Sequence, residues 1–368
     1  MKATRQLHEL GQSLWLDNIT RGILNDGTLQ RYIGELSVTG LTSNPTIFDH
    51  AFKTGDSYDE AIRRKAADGK AGEPLFFELA IEDLSRAADL FRPVHDRTGG
   101  VDGWVSLEVS PLLANNTAGT IRAAADLHGR AQRPNLFIKI PGTGEGIPAI
   151  EASIFAGVPV NVTLLFSGAQ YVAAAEAYMR GIERRIAAGL DPRIGSVASL
   201  FVSRWDVAVH DTVPPALRNR LGIAIAQRAY REYRSVLATP RWRALAAAGA
   251  QPQRLLWAST STKDPVASDT LYVEALAAPD TVNTIPDKTL RAFADHGRVA
   301  GTLPSDGGDA DVVLAEFGRA GVDVTALAAR LQREGAASFD KSWKELLGRL
   351  AAKREALAPR LPAAAVTP

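Results

Sequence analysis

The sequence predicts an α/β fold: a (β/α)8 TIM barrel with extra helices at the N-terminus, between strands 2 and 3, between strands 6 and 7, and at the C-terminus. Two observations lead there. Eight short apolar runs recur along the 368 residues, and Ala-rich amphipathic stretches lie between most of them. Strands separated by helical crossovers form a parallel sheet, and eight such units close it into a barrel. A third observation is that polar residues within the runs share one parity, which tells which side of the sheet faces the axis.

The first run is "SLWLD" (13–17) and the second "VTGLTSN" (38–44). Two helical segments, around 46–68 and 73–96, fill the gap before "GWVSLEV" (103–109). The helical stretch "TAGTIRAAADLHG" (117–129) leads to "LFIKI" (136–140), and "VPVNVTLLF" (158–166) follows. A long amphipathic stretch, 167–189, precedes "VASLFVS" (197–203). Two or three helices, including "PPALRNRLGIAIAQRAYREYRSVLA", separate that run from "RLLWAST" (254–260), and "TVNTI" (281–285) is the last strand. Then come "DKTLRAFADHG", a Gly/Pro/Asp loop at 301–311, and a final helix around 324–357 that is expected to pack on the outer helices, with the barrel mouth or an oligomer interface as the alternatives. With no composition shift or internal repeat, residues 1–358 read as one barrel domain with a C-terminal helical extension. The Pro/Ala-rich residues 359–368 read as a flexible tail.

Composition narrows the function. There is no cysteine, which excludes disulfides and cysteine metal sites and fits a cytoplasmic location. Lys+Arg 42 against Asp+Glu 41 gives no bulk charge to attract nucleic acid or an anionic membrane. The opening stretch is charged and lacks the apolar segment of a secretory signal, and no window approaches the ~18 apolar residues of a membrane span. The six histidines lie outside the strand interiors, which argues against a His metal site or a Ser-His-Asp triad.

Parity locates the polar residues. In "LFIKI", Phe137 and Lys139 share one face, opposite Leu136, Ile138 and Ile140. Trp104, Ser106 and Glu108 align in strand 3; Asn161 and Thr163 align in strand 5, opposite Val160, Val162 and Leu164. Trp15 pairs with Asp17, Thr42 with Asn44, and Ser199 with Phe201 and Ser203. The apolar faces pack on the helices, so the polar ones point into the barrel. Asp17, Asn44 and Glu108 also fall at or near the C-terminal strand ends, where barrel enzymes carry their sites. Taken singly, Asn44 before Pro45 reads as a helix cap, and Lys139 with Glu108 as an interior ion pair. Buried ion pairs are weak stabilisers, so packing gives little reason to gather the whole set.

A lysine inside an apolar barrel points to amine chemistry. Desolvation favours the neutral amine and neighbouring carboxylates oppose it. A neutral amine attacks a ketone and yields a Schiff base whose iminium accepts the electrons of a breaking C–C bond. Asp17 and Glu108 supply the acid/base groups that such a cycle needs. Asn44 and Asn161 suit sugar hydroxyls. Arg204, after strand 6, and Lys263 in "STSTKDP", with Ser259 and Ser261, form a candidate anion pocket. "GTGEG" (142–146) reads as a plain turn.

The motifs "SLWLDNITRGIL", "VTGLTSNPTIF", "VSLEVSP", "LFIKIPGT", "VNVTLLFS" and "SLFVSRWD", in this order, resemble the transaldolase family over roughly residues 10–300. The resemblance implies a cofactor-free class I aldolase-type mechanism. A dihydroxyacetone unit would pass from fructose 6-phosphate or sedoheptulose 7-phosphate to glyceraldehyde 3-phosphate or erythrose 4-phosphate, in the non-oxidative pentose phosphate pathway. It implies that Lys139 forms the Schiff base, that Asp17 is the acid/base of aldol cleavage, and that Glu108 with Thr163 handles the catalytic water. Asn44, Asn161 and Ser199 then contact substrate, and Arg204 binds phosphate. Many family members carry Arg after strand 7, where this chain offers Ser261 and Lys263. Glu108 and Phe201 stand where related fructose-6-phosphate aldolases use other residues, which favours transfer over release of free dihydroxyacetone. That lyase is the first alternative, and a non-catalytic sugar-phosphate-binding barrel the second. The expected partners are sugar phosphates, with neither nucleic acid nor membrane, and the chain a monomer or a homodimer.

Overall fold

A computed structural model describes residues 1–53 and 55–358; the expected tail at 359–368 lies outside the described residues. Helix α1 (Ala3–Glu9) leads into strand β1 (Ser13–Asp17), and α2 (Arg21–Asn25) and α3 (Thr28–Glu35) into β2 (Val38–Thr42). Helices α4 (Pro45–Lys53), α5 (Asp59–Ala67) and α6 (Gly72–Arg97) precede β3 (Val105–Glu108). Then α7 (Thr117–Ala131), β4 (Leu136–Pro141), α8 (Gly146–Phe155), β5 (Val160–Leu165), α9 (Gly168–Ala187) and β6 (Ser196–Phe201) alternate. Helices α10 (Ser203–Val209), α11 (Leu221–Ala238) and α12 (Pro240–Ala247) separate β6 from β7 (Arg254–Ala258). The short α13 (Leu271–Ala275) precedes β8 (Val282–Ile285), and α14 (Asp287–His296), α15 (Ala310–Arg319) and α16 (Val324–Ala356) complete the chain.

The eight strands pair in sequence order, all parallel, and β8 closes on β1. The expected barrel and its extra helices are therefore present. The interior is filled in layers. At the N-terminal end, Trp15 packs over Gly40, where a Cβ would lie 2.7 Å from the indole nitrogen and 2.6 Å from the Trp104 carbonyl. A small residue opposite a large one is what a narrow barrel requires. The Trp15 indole donates to Asp102, the Ser13 hydroxyl donates to the same carboxylate, and Arg254 donates to Ser13.

Four expectations change. The helical segment at 46–68 is two helices, α4 and α5, broken around Gly55. Strand β4 runs through Pro141, and the next N–H, of Gly142, still donates to the Thr163 carbonyl at 2.7 Å. Ser203 is not on a strand face but opens α10, its hydroxyl 2.9 Å from that of Ser259. Leu164 does not continue the helix-facing parity of Val160 and Val162. It has φ +60° at a register shift, and one inserted residue breaks the two-residue period.

The final helix departs most. It packs on α4, α5 and α6, as expected, but its first half also crosses the C-terminal rim of the barrel. Gln332 donates to the carbonyls of Gly142 and Leu164, both at 2.9 Å. Gly335 lets the helix approach, since a Cβ there would meet the Leu164 side chain at 3.0 Å. Farther along, Arg349 pairs with Asp49 of α4, and Trp343 donates to Glu73 of α6 at 2.8 Å. Trp343 is fully buried, edge-on to Phe76 at 4.7 Å. Trp343→Ala is expected to destabilise the fold by about 3–5 kcal/mol, measured as a lower urea midpoint at unchanged slope.

Candidate active site

Strand β4 holds Lys139 on the axis side, while Leu136, Ile138 and Ile140 take the helix side. Its lateral neighbours in the ladder are Glu108 of β3 and Asn161 of β5. The amine donates to the Ser43 carbonyl at 2.9 Å and lies 3.5 Å from the Glu108 carboxylate. Both side chains are nearly closed to solvent, at 8% and 6%. Beneath them the barrel is aromatic: Phe137 stacks on Trp104 at 4.0 Å, with Trp15 6.0 Å from Phe137. These buried rings make the floor beneath the amine apolar.

Short polar chains fix the surrounding groups. Ser199 donates to Asn161 at 2.7 Å, and Asn161 donates to Ser106 at 3.1 Å, so the amide cannot rotate freely. Thr42 donates to Asp17 at 3.0 Å and shares a 2.6 Å contact with the Thr284 hydroxyl. Burial pushes the Asp17 carboxyl above the ordinary range against the opposing pull of the Lys139 charge. Burial likewise raises Glu108, again opposed by Lys139, with Asp17 adding to the rise. Two carboxyl groups and one amine thus lie together at the base of the cavity, an arrangement suited to passing protons. Among the described residues the buried Thr163 hydroxyl has no hydrogen-bond partner.

Above this layer opens a cavity of about 600 Å³. Lys139, Asp17, Asn44, Thr163, Ser199, Phe201, Arg204, Ser261 and Lys263 all line it. Glu108 and Asn161 stand beside Lys139 in the wall behind it. On the β6–β7 side, Lys263 donates to Ser261 at 2.6 Å, and Arg204 sits 5.5 Å from the Phe201 ring centre. Burial pulls the Arg204 guanidinium below its ordinary value, and among the described residues it forms no ion pair. A half-buried cation of this kind is available to an anionic ligand. Asn44 lines the cavity and also caps α4, accepting from the Ile47 N–H at 3.1 Å.

The "GTGEG" segment is a turn into α8, with Thr143 accepting from Gly146, and it does not line the cavity. Among the described residues no cluster of His, Cys, Asp or Glu is arranged to hold a metal, and no helix is long and apolar enough to cross a membrane. Sequence reasoning missed several cavity residues: Asn18, Thr20, His50, Thr284 and Phe339. Asn18 and Thr20 sit in the quoted "LWLDNIT" motif just past Asp17, which is the signal that was available. His50 and Phe339 are on helices whose placement over the rim no local pattern shows.

Compared with protein families, residues 14–350 match the one described as Transaldolase/Fructose-6-phosphate aldolase. A protein named "Transaldolase" from Thiobacillus denitrificans is 45% identical over 358 residues, covering 95% of this chain and 100% of the relative. One of the same name from Parafrankia sp. is 46% identical, covering 94% and 96%. A third, from Thermobifida fusca, is 46% identical, covering 94% and 97%.

Proposed function

The chain belongs to the transaldolase/fructose-6-phosphate aldolase family of enzymes, and on that premise we propose that it transfers a dihydroxyacetone unit between sugar phosphates through a Schiff base on Lys139. The observation that carries this is a primary amine buried beside Glu108 at the floor of a cavity whose opposite side offers Arg204 and Lys263. Relatives named transaldolase support transfer as the outcome.

Lys139, as the neutral amine, adds to the ketose carbonyl, and loss of water gives the iminium. The Thr163 hydroxyl and the Glu108 carboxyl hold and activate that water, a pairing favoured by a hydroxyl with no other partner. Asp17 takes the proton of the C4 hydroxyl while the C3–C4 bond breaks and its electrons flow into the iminium, leaving an enamine and an aldose phosphate. The acceptor aldehyde enters, the enamine carbon bonds to it, and Asp17 returns its proton to the new hydroxyl. Water then releases the product and the free amine. Asn44, Asn161 and Ser199 hold the hydroxyls of the three-carbon unit, and Phe201 gives the cavity an apolar side. Arg204, Ser261 and Lys263 hold the phosphate. Residues 1–358 act as one catalytic domain, no cofactor takes part, and the place of action is the cytoplasm in the pentose phosphate pathway.

The test supplies fructose 6-phosphate with and without erythrose 4-phosphate. Sedoheptulose 7-phosphate is expected to form only with the acceptor, and borohydride to fix a three- or six-carbon adduct on Lys139. Rapid release of free dihydroxyacetone without acceptor would make the chain a lyase instead. For the phosphate end, Lys263→Met is expected to raise KM about tenfold, roughly 1.4 kcal/mol of charge-assisted binding, at nearly constant kcat. A fall in kcat at constant KM would move Lys263 out of the phosphate site.

A further inference from the structure

The cavity is closed on one side by a residue from outside the barrel. Phe339 of α16 lines it together with Lys139 and Asp17, though more than 190 residues separate them in sequence. Its side chain is 7% exposed and meets Phe201 at 6.5 Å between ring centres, at 61°. Phe201 in turn packs 5.3 Å from Phe166. Phe201 and Phe339 form an apolar side of the cavity, and Phe166 at the end of β5 backs it.

Helix α16 is fastened at both sides of Phe339. Before it, Gln332 bonds two rim carbonyls, and Gly335 sits against Leu164 and Phe166. After it, Trp343, Arg349 and Lys353 are tied to Glu73, Asp49 and Asp59. The ring belongs to the buried stripe of the helix with Trp343, Leu346 and Leu350, and it is the member of that stripe that lines the cavity. Its position at the mouth calls for another purpose.

We propose that Phe339 is a specificity-determining residue: it keeps bulk water from the enamine, so that the bound three-carbon unit waits for an aldehyde instead of being released. This rests on the Schiff-base reading above. Release without an acceptor needs a proton at the enamine carbon and then water at the iminium carbon. The enamine and one water give dihydroxyacetone and the free Lys139 amine. The second of these steps is part of the normal cycle and belongs to the deep water beside Glu108 and Thr163. The first is not: the proton that Asp17 holds is kept for the new hydroxyl, so the enamine carbon takes its proton from solvent that enters through the mouth. An apolar ring there lowers water density while leaving room for an incoming aldehyde, and excluding water is a known way to protect a reactive intermediate.

The experiment compares Phe339→Ala and Phe339→Leu with the parent chain. It measures free dihydroxyacetone released from fructose 6-phosphate alone, transfer to erythrose 4-phosphate, and borohydride trapping on Lys139. The release-to-transfer ratio is expected to rise on the order of tenfold in Phe339→Ala and less in Phe339→Leu, with trapping undiminished. Thermal midpoints of both variants are recorded, and Phe339→Leu decides the matter if Phe339→Ala unfolds. A ratio unchanged in a folded variant overturns the proposal and leaves the Schiff-base reading intact. Failure of the parent chain to trap substrate or transfer it overturns that reading itself.

Discussion

Lys139→Arg is expected to abolish both the trapped adduct and transfer, by on the order of 10⁴-fold or more, as loss of a covalent nucleophile does. A guanidinium stays protonated and has no free pair to attack a ketone. The charge beside Glu108 would be kept, so the loss would report on nucleophilicity and not on the ion pair. Arginine is bulkier than lysine beside Glu108 and the Ser43 carbonyl, and overpacking there costs about 1–3 kcal/mol, which thermal unfolding measures. Lys139→Met is the complementary variant. It removes the charge that lowers Glu108, so burial pushes that carboxyl still higher. A raised carboxyl favours the fold below its unfolded value and loses that contribution as pH rises through its folded one. Lys139→Met is therefore expected to be more destabilised at pH 8 than at pH 5. A borohydride adduct surviving in either variant would place the Schiff base on another residue.

Asp17→Asn is expected to separate binding from bond cleavage. The variant keeps an acceptor oxygen for the Thr42 hydroxyl, so the geometry at the end of β1 is preserved. It still traps fructose 6-phosphate on Lys139, but cleavage slows by about 10²–10⁴-fold, the usual worth of a positioned general base. Mass analysis after borohydride treatment then shows the six-carbon adduct in place of the three-carbon one. Stability moves the other way. The Asp17 carboxyl is raised mainly by burial, so the parent chain loses folding free energy as pH climbs from the unfolded value through the raised one. The amide has no such loss. The thermal midpoint of Asp17→Asn relative to the parent is expected to be more favourable at pH 8 than at pH 4. Cleavage at the parent rate would remove Asp17 from the proton transfer, and the opposite pH trend would mean that its carboxylate is stabilised in the fold.

Much of the barrel was legible because buried parallel strands are short and largely apolar runs. "RLLWAST" contains β7 (Arg254–Ala258) and "TVNTI" contains β8 (Val282–Ile285), with errors only at the ends, where turn residues and strand residues look alike. Parity placed Lys139, Glu108 and Asn161 on one interior face, and the strand register then made them lateral neighbours. It failed at Leu164, where a left-handed residue resets the period, and at Ser203, where the chain has already turned into a helix.

Strand and helix spacing, parity and the six motifs thus determined by themselves that this chain is a barrel with an amine, two carboxylates and two asparagines near one rim. These are local properties, written in runs of a few residues. Only tertiary structure decided that the Ser43 carbonyl receives the Lys139 amine, that Thr284 reaches Asp17 through Thr42, and that α16 crosses the mouth to bring Phe339 to Phe201. The apolar stripe of α16 is plain in sequence, but a stripe records that a face is buried and not against what. Its partner was set by the close approach at Gly335 and the ties to Asp49 and Glu73, contacts between residues some 170 to 300 positions apart.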